Sequence, residues 1–305
     1  MRNKNILILL TPGEDFFWIR KICECGVRAE YTYKKVNKFF RALRRLHSNI
    51  TFLSFNIWFD NWKMDLKHYD IIIIWAAKLN VSIAKWIHSK YPNIRIIFWF
   101  WNPIKKNFIP DNNLKKICEC WSFDFQDCID YNLIYNTQFY FPPSNDEILK
   151  KHCTKNDIFF IGAEKGRGEI LLQLEKRFEE LHLNTYFHIV KDNTKSKSKI
   201  KYCPPLRYSN VIKCVLNTKC ILEILQENQS GFTLRTMEAL FYSKKLITNN
   251  KDIKFFEFYN PQNIFILGEN SISELPNFIK SKFQPIDSML LQKYTFNAWL
   301  NKFMI

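Results

Sequence analysis

The sequence predicts two α/β domains in tandem, each built on a parallel sheet. Three observations carry this: short apolar runs alternate with helix-period stretches through both halves, the apolar runs are hydrophobic throughout, and a break at Pro142-Pro143-Ser144-Asn145-Asp146 divides the 305 residues near their middle. Strands that are apolar at every position belong to sheets covered on both faces, as parallel sheets are. The sequence gives domain limits of 1–143 and 144–285, with residues 286–305 as a closing segment.

Asn5-Ile6-Leu7-Ile8-Leu9-Leu10 is too short for a signal peptide core and reads as the first buried strand. Thr11-Pro12-Gly13-Glu14-Asp15 then forms the turn at its carboxyl end. Phe16, Ile19, Ile22 and Cys23 recur at helical spacing up to Gly26, a C-cap. Open α/β sheets place ligands at such strand ends, so Glu14 and Asp15 are candidates for a general base, and equally for a helix cap. Lys34 to His47 predicts an amphipathic helix with Val36, Phe39, Phe40, Leu43 and Leu46 inward and Lys35, Lys38, Arg41 and Arg45 outward. No acidic residue lies between Tyr31 and Phe59, so this basic face suits an anionic membrane surface, and equally an ordinary solvated face.

Ile50–Phe55, Tyr69–Trp75 and Asn93–Trp101 follow as expected strands, with a helix around Ile83–Ile87 between the last two. Trp121-Ser122, a helix from Asp124 to Tyr131 and a strand Asn136–Phe141 complete the first half. Trp99 and Trp101 read as core. The second half predicts strands at Asp157–Ile161, Thr185–Val190, Lys219–Leu225, Leu246–Asn250 and Asn263–Leu267. Helices fall around Leu171–Leu181 and Tyr208–Leu216, and Ser288–Met304 predicts a final amphipathic helix.

Lys and Arg number 45 against 29 Asp and Glu, a net charge of +16, which points to an anionic partner. No helix-turn-helix, zinc-finger or RNA-binding signature accompanies that charge, and the aromatic residues sit in buried strands, so nucleic acid is not the expected partner. Nine cysteines without a secretion signal indicate reduced thiols. The pentapeptide Lys-Ile-Cys-Glu-Cys occurs at 21–25 and 116–120, but its C-x-C spacing lacks nearby histidines and does not predict a metal site.

Two segments carry chemistry. In Gly162-Ala163-Glu164-Lys165-Gly166-Arg167-Gly168 a strand enters a glycine-rich basic turn and a helix, which suits phosphate through Gly162, Lys165 and Arg167; the Walker and dinucleotide-binding spacings are absent. In Ser230-Gly231-Phe232-Thr233-Leu234-Arg235-Thr236-Met237-Glu238 a helix is expected to start after Ser230-Gly231. Its free amides and Arg235 face an anion, and Glu238 is able to accept from sugar hydroxyls. At spacing i,i+3, Arg235 and Glu238 are equally able to pair with each other.

Ser230 to Asn250 resembles the donor-site segment of GT-B glycosyltransferases, in which a Glu-Gly-Phe-Gly-Leu run leads to a second glutamate in a Glu-Ala-hydrophobic sequence. Glu238-Ala239-Leu240 matches that second glutamate, while Ser230 stands where the first belongs. The Ser-Gly, Leu-Arg and Thr-Met-Glu version is similar to bacterial lipopolysaccharide and capsule biosynthesis enzymes. The resemblance implies two Rossmann-like domains facing a cleft, an N-terminal acceptor domain, a C-terminal donor domain and a last helix crossing back onto the first domain. It implies transfer of a sugar from a nucleotide-sugar to a lipopolysaccharide, O-antigen or capsule acceptor, lipid-linked or oligosaccharide, with no cofactor or metal. The lack of a secretion signal and of an apolar run of about 18 residues, with the basic helix, leads to an expected location in the cytoplasm at the inner membrane face. Gly162, Lys165, Arg167, Ser230, Gly231, Thr233, Arg235 and Glu238 are the implied donor residues. A non-catalytic partner of a transferase is the alternative.

Overall fold

The computed structural model describes residues 4–304 apart from residue 14 and segments 49–53, 145–146, 148–153, 197–198 and 227–228. The chain forms two compact units. One runs to Thr137 and takes back the chain end from Lys302; the other is Gln138–Asn301.

In the first unit, strands β1 (Ile6–Leu10), β2 (Arg28–Tyr31), β3 (Ile71–Trp75), β4 (Arg95–Phe100), β5 (Glu119–Ser122) and β6 (Ile134–Tyr135) form one sheet in the order 2-1-3-4-5-6. Every pairing is parallel. Its helices are α1 (Phe16–Glu24), α2 (Lys38–His47), α3 (Val81–Lys90), α4 (Asn112–Ile117) and α5 (Phe125–Tyr131). All ten residues of β1 and β3 are buried. Leu7, Leu9, Ile72, Ile74 and Phe98 pack in one cluster with Ile83, Ala84 and Ile87 of α3. Trp99 is core as expected, and Phe303 of the chain end packs edge-on against it and Trp121. The order reverses between β1 and β3, and there the buried Asn80 side chain donates to Thr11 Oγ1 and the Trp75 carbonyl.

The second unit holds β7 (Asn156–Ala163), β8 (Thr185–Val190), β9 (Thr218–Glu223), β10 (Lys245–Thr248) and β11 (Ile264–Ile266), again all parallel, in the order 11-10-9-7-8. Helices α6 (Gly168–Glu180), α7 (Tyr208–Leu216), α8 (Leu234–Phe241), α9 (Leu275–Lys280), α10 (Ser288–Gln292) and α11 (Phe296–Asn301) accompany it. The reversal of order falls between β7 and β9, so their carboxyl ends form the crevice in which such sheets bind ligands.

Several expectations are corrected. β2 was not foreseen, because Arg28-Ala29-Glu30-Tyr31 is a short edge strand whose partner lies on one side and which carries no apolar run. Most of the expected strand Ile50–Phe55 lies outside the described residues, and Phe55 opens a 3-10 turn. Asn136–Phe141 is not a strand; Tyr140 makes a single bridge to Thr295, donating to the Tyr294 carbonyl and accepting from Phe296 N–H. That pairing interrupts the expected final helix, splitting it into α10 and α11. It keeps α11 in the second unit, with Phe296 and Trp299 against Phe139; the chain end from Lys302, rather than a helix, belongs to the first. The units accordingly divide before the Pro142-Pro143 break.

Helix α2 is inverted relative to its predicted orientation. It starts at Lys38, capped by the Asn37 side chain on Phe40 N–H. Phe39, Phe40, Leu43 and Leu46 are exposed, and Arg44 and His47 are the buried pair. Below the helix, Arg44 stacks over the Tyr33 ring and His47 accepts from Trp58 Nε1, so the aromatic residues beneath receive polar rather than aliphatic side chains. Lys35, Lys38, Arg41 and Arg45 are exposed as expected.

Candidate functional site

The candidate donor site is assembled at the carboxyl ends of β7 and β9. After β7 the chain turns through Lys165 and Gly166, both with positive φ (49° and 78°), a reversal that glycine adopts freely and lysine at some cost. Lys165 N–H donates to Asp192 Oδ2 at 2.8 Å, fixing the turn to the loop after β8. Lys165 is exposed, whereas Arg167 lies inward across the sheet edge.

The Arg167 guanidinium donates to the carbonyls of Ala163 at the end of β7, of Glu164 next to it and of Ile224 after β9. It therefore straddles the point where strand order reverses. Burial draws its pKa down to about 10, opposed by the charges of Asp192 and Glu223. Gly162 makes room for it, since a Cβ there would stand 3.1 Å from Arg167 Nη2. A guanidinium has five N–H bonds, so three carbonyls leave donors for an anion.

The amino end of α6 is closed by the protein itself. A Cβ at Gly168 would meet Ile200 Cδ1 at 2.3 Å and Glu164 Oε1 at 2.7 Å, and the buried Glu164 carboxylate accepts from the Tyr202 hydroxyl. A carboxylate of the chain thus occupies the position at a helix start that favours negative charge.

Helix α8 begins later than expected. Thr233, not Ser230, is its N-cap, with Thr233 Oγ1 accepting from Arg235 N–H at 3.0 Å. Beneath this turn lies Glu223, the last residue of β9, which is 1% exposed. Its Oε1 accepts from Thr233 N–H (3.1 Å), Thr233 Oγ1 (2.7 Å) and Thr236 Oγ1 (2.7 Å), and its Oε2 from Thr248 Oγ1 (2.8 Å). Sequence reasoning passed over Glu223. Its signal was a charged residue inside the apolar run Cys220-Ile221-Leu222-Glu223-Ile224-Leu225. Glu223 and Thr233 thus satisfy the amides of Thr233 and Arg235 at the start of the helix.

Ser230 and Gly231 precede the helix as a loop rather than opening it. The Ser230 carbonyl accepts from Asn250 Nδ2 and the Gly231 carbonyl from Gln229 Nε2, both at 3.5 Å, while Phe232 anchors the loop against Phe256, Phe258 and Tyr294.

Arg235 and Glu238 pair. Arg235 Nη1 lies 2.6 Å from Glu238 Oε2, an ion-pair contact rather than an aligned hydrogen bond. Glu238 is 0% exposed, and its Oε1 accepts from the Tyr208 hydroxyl at 2.7 Å, which in turn lies 2.8 Å from the Tyr140 hydroxyl. The expected contact between Glu238 and a sugar hydroxyl is therefore corrected: both carboxylate oxygens face protein groups. Burial pushes the Glu238 carboxyl up to about 7, against the lowering influence of Arg235 and Tyr208. Arg235 keeps 14% of its side chain exposed, whereas Glu238 keeps none.

In the first unit, Asp15 is the N-cap of α1, its Oδ1 accepting from Phe17 N–H at 3.0 Å. Glu14 lies outside the described residues. The structure brings Gly162, Arg167 and Thr233 to one sheet edge around Glu223, and it joins Arg235 to Glu238; Lys165 stays at the rim of its turn. Among the described residues no cluster of three or more His, Cys, Asp or Glu side chains is placed to hold a metal ion. No helix among them is long and apolar enough to cross a membrane.

No protein-family model matches the sequence, and no curated protein matches it. Solved structures do. The chain is similar to TarM, with a TM-score of 0.57 and 11% identity over 100% of this chain and 98% of that one. It is also similar to the Anabaena protein Alr3699/HepE in complex with UDP-glucose, with a TM-score of 0.56 and 11% identity over 99% and 98% of the two chains. The same Anabaena protein in complex with UDP gives a TM-score of 0.53 at 12% identity, covering 98% of each. At these identities the likeness defines the fold: two parallel-sheet α/β units of the GT-B glycosyltransferase architecture.

Proposed function

We propose that this chain is a glycosyltransferase that moves a sugar from a nucleotide-sugar donor to a bacterial surface glycan acceptor, without a metal ion. The observation that carries this reading is the pair of inward arginines in the second unit. Arg167 lies over the strand-order reversal and Arg235 in the first turn of α8, both on the carboxyl side of a parallel sheet. The UDP and UDP-glucose complexes of the Anabaena protein support a uridine nucleotide as the first donor to test.

On this reading the protein's task is to stabilise the negative charge that builds on the departing nucleoside phosphate. Preorganised cations do this without reorganising at the moment of reaction. Arg167 is held by three carbonyls and Arg235 by Glu238, so both are fixed before a donor arrives. Ser230 and Gly231 line the approach to α8, and Lys165 offers a rim charge. In the first unit, Asp15 is the proposed base for the acceptor hydroxyl, which requires it to release Phe17 N–H; Glu14 is the neighbouring candidate. The exposed apolar stripe of α2, flanked by Lys35, Lys38, Arg41 and Arg45, supports peripheral attachment to an anionic cytoplasmic membrane face and so an acceptor carried by that membrane.

The test is calorimetric titration of UDP and UDP-glucose into wild type and Arg235→Ala, with and without a chelator. Loss of a charge-assisted contact weakens binding about tenfold or more, and chelation leaves it unchanged. Equal affinity of the two proteins for the nucleotide sinks the assignment.

A second reading is a non-catalytic GT-B partner of a transferase. The burial of Glu238 together with Ser230 at the place of the first glutamate favours it. It predicts nucleotide binding with neither transfer nor donor hydrolysis.

A further inference from the structure

Beneath α2 the first unit buries cationic and donor groups that have no hydrogen-bonded acid among the described residues. Arg44 is 7% exposed; its Cζ sits 4.4 Å from the Tyr33 ring centroid, and Nε and Nη1 have no hydrogen-bond partner among the described residues. The charged groups acting on it from its own helix are Arg41 and Arg45, both of like sign. His47, 8% exposed, accepts at Nδ1 from Trp58 Nε1 at 2.7 Å, which places the proton of its neutral form on Nε2, and that atom too is unpartnered. Buried donors without acceptors are costly, so a protein that keeps several together is poised for an acceptor.

His47 opens onto a large cavity, and Arg44 stands behind its wall, over Tyr33. The cavity measures about 1170 Å³ and His47 lines it, together with Lys78, Lys85, Phe55, Trp86 and Phe108; Asp111 is the one acid on the described wall. The Tyr33 hydroxyl beneath Arg44 bonds the Leu79 carbonyl and lies 3.4 Å from Ser82 Oγ, both on the same wall. On the other side of the helix, Phe39 is 71% and Leu46 66% exposed, with Leu43 between them. One short helix thus presents an apolar face outward and phosphate-type donors inward.

We propose that Arg44 and His47 form a binding site for the phosphate group of a membrane-borne lipid phosphate, whose chain leaves the cavity alongside the apolar face of α2. This deepens the acceptor half of the proposed function and rests on it. Apolar burial anchors the face in the leaflet, and the donors beneath select a phosphate over a neutral headgroup.

The test is flotation of the full-length chain with phosphatidylcholine vesicles, with and without phosphatidic acid, alongside melting temperatures. Wild type binds the phosphatidic acid vesicles. Arg44→Met weakens that binding about tenfold or more while leaving the melting temperature equal or higher, because an uncompensated buried charge is removed. Arg44→Lys restores part of the binding. Arg41→Ala, an exposed charge, weakens it by about fivefold at most. The proposal is overturned if Arg44→Met loses no more affinity than Arg41→Ala, or if it melts lower with binding unchanged, which makes Arg44 a structural stack on Tyr33. Low-millimolar inorganic phosphate displaces wild type only weakly; complete displacement assigns the site to a soluble anion and overturns the lipid. Neither donor nor turnover enters the assay, so failure of the transferase reading shows in UDP titration and failure of this one in flotation.

Discussion

Replacing Glu238 by glutamine tests the buried centre of the second unit. The wild-type carboxyl is fully buried and its pKa stands at about 7 against an ordinary value of 4.5. A carboxyl whose folded pKa is raised holds its proton more tightly when folded. No penalty exists below about pH 4.5, stability falls as pH rises from there to about 7, and the loss is complete above. At 1.36 kcal/mol per pKa unit, the 2.5 units between 4.5 and 7 correspond to about 3 kcal/mol. For a unit of this size that is roughly 6–12 °C of melting temperature. Glutamine cannot ionise, retains an acceptor for Tyr208, and leaves Arg235 with its exposed edge in water. The assay is the melting temperature of the second unit's transition, for both proteins, from about pH 5 to about pH 8. Wild type loses several degrees relative to Glu238→Gln across that window, and the difference removes every other titrating group common to both. Parallel curves refute the reasoning, since they mean that Glu238 is ionised throughout or solvated.

Nucleotide binding that draws Arg235 from Glu238 leaves the carboxyl without its cation, so near pH 7 binding takes up protons; calorimetry in two buffers of different ionisation heat reads this, and buffer-independent heats contradict it. Glu223→Ala leaves Thr233 N–H and three hydroxyls without their acceptor and costs about 2–4 kcal/mol in chemical denaturation. Gly168→Ala costs about 1–3 kcal/mol by overpacking, because Ile200 and Glu164 both have to move; an unchanged denaturation midpoint shows that the loop yields freely. Leu46→Ser lowers vesicle flotation with no loss of melting temperature, since its side chain already faces solvent.

The sequence by itself determined the two parallel sheets. Ile71 to Trp75 and Ile6 to Leu10 are apolar at every position, and a strand of that composition is stable only when both faces are covered. Thr185–Val190 and Tyr208–Leu216 were legible to the residue because local periodicity and packing agree there. The basic turn at Gly162–Arg167 was visible from its glycines and charges. What the side chains face was not. The periodicity of α2 was read correctly, but a helix of strong amphipathicity has two ways to lie, and only the aromatic floor of Tyr33, Phe55 and Trp58 decided that Arg44 and His47 turn inward. Glu223 and Thr233 are ten residues apart in the chain, so no local spacing announces that the strand's last carboxylate fills the start of α8. Arg235 and Glu238 were visible as a pair at i,i+3. Tertiary burial, by removing water from the carboxylate and supplying Tyr208, decided that Glu238 holds the arginine instead of a sugar.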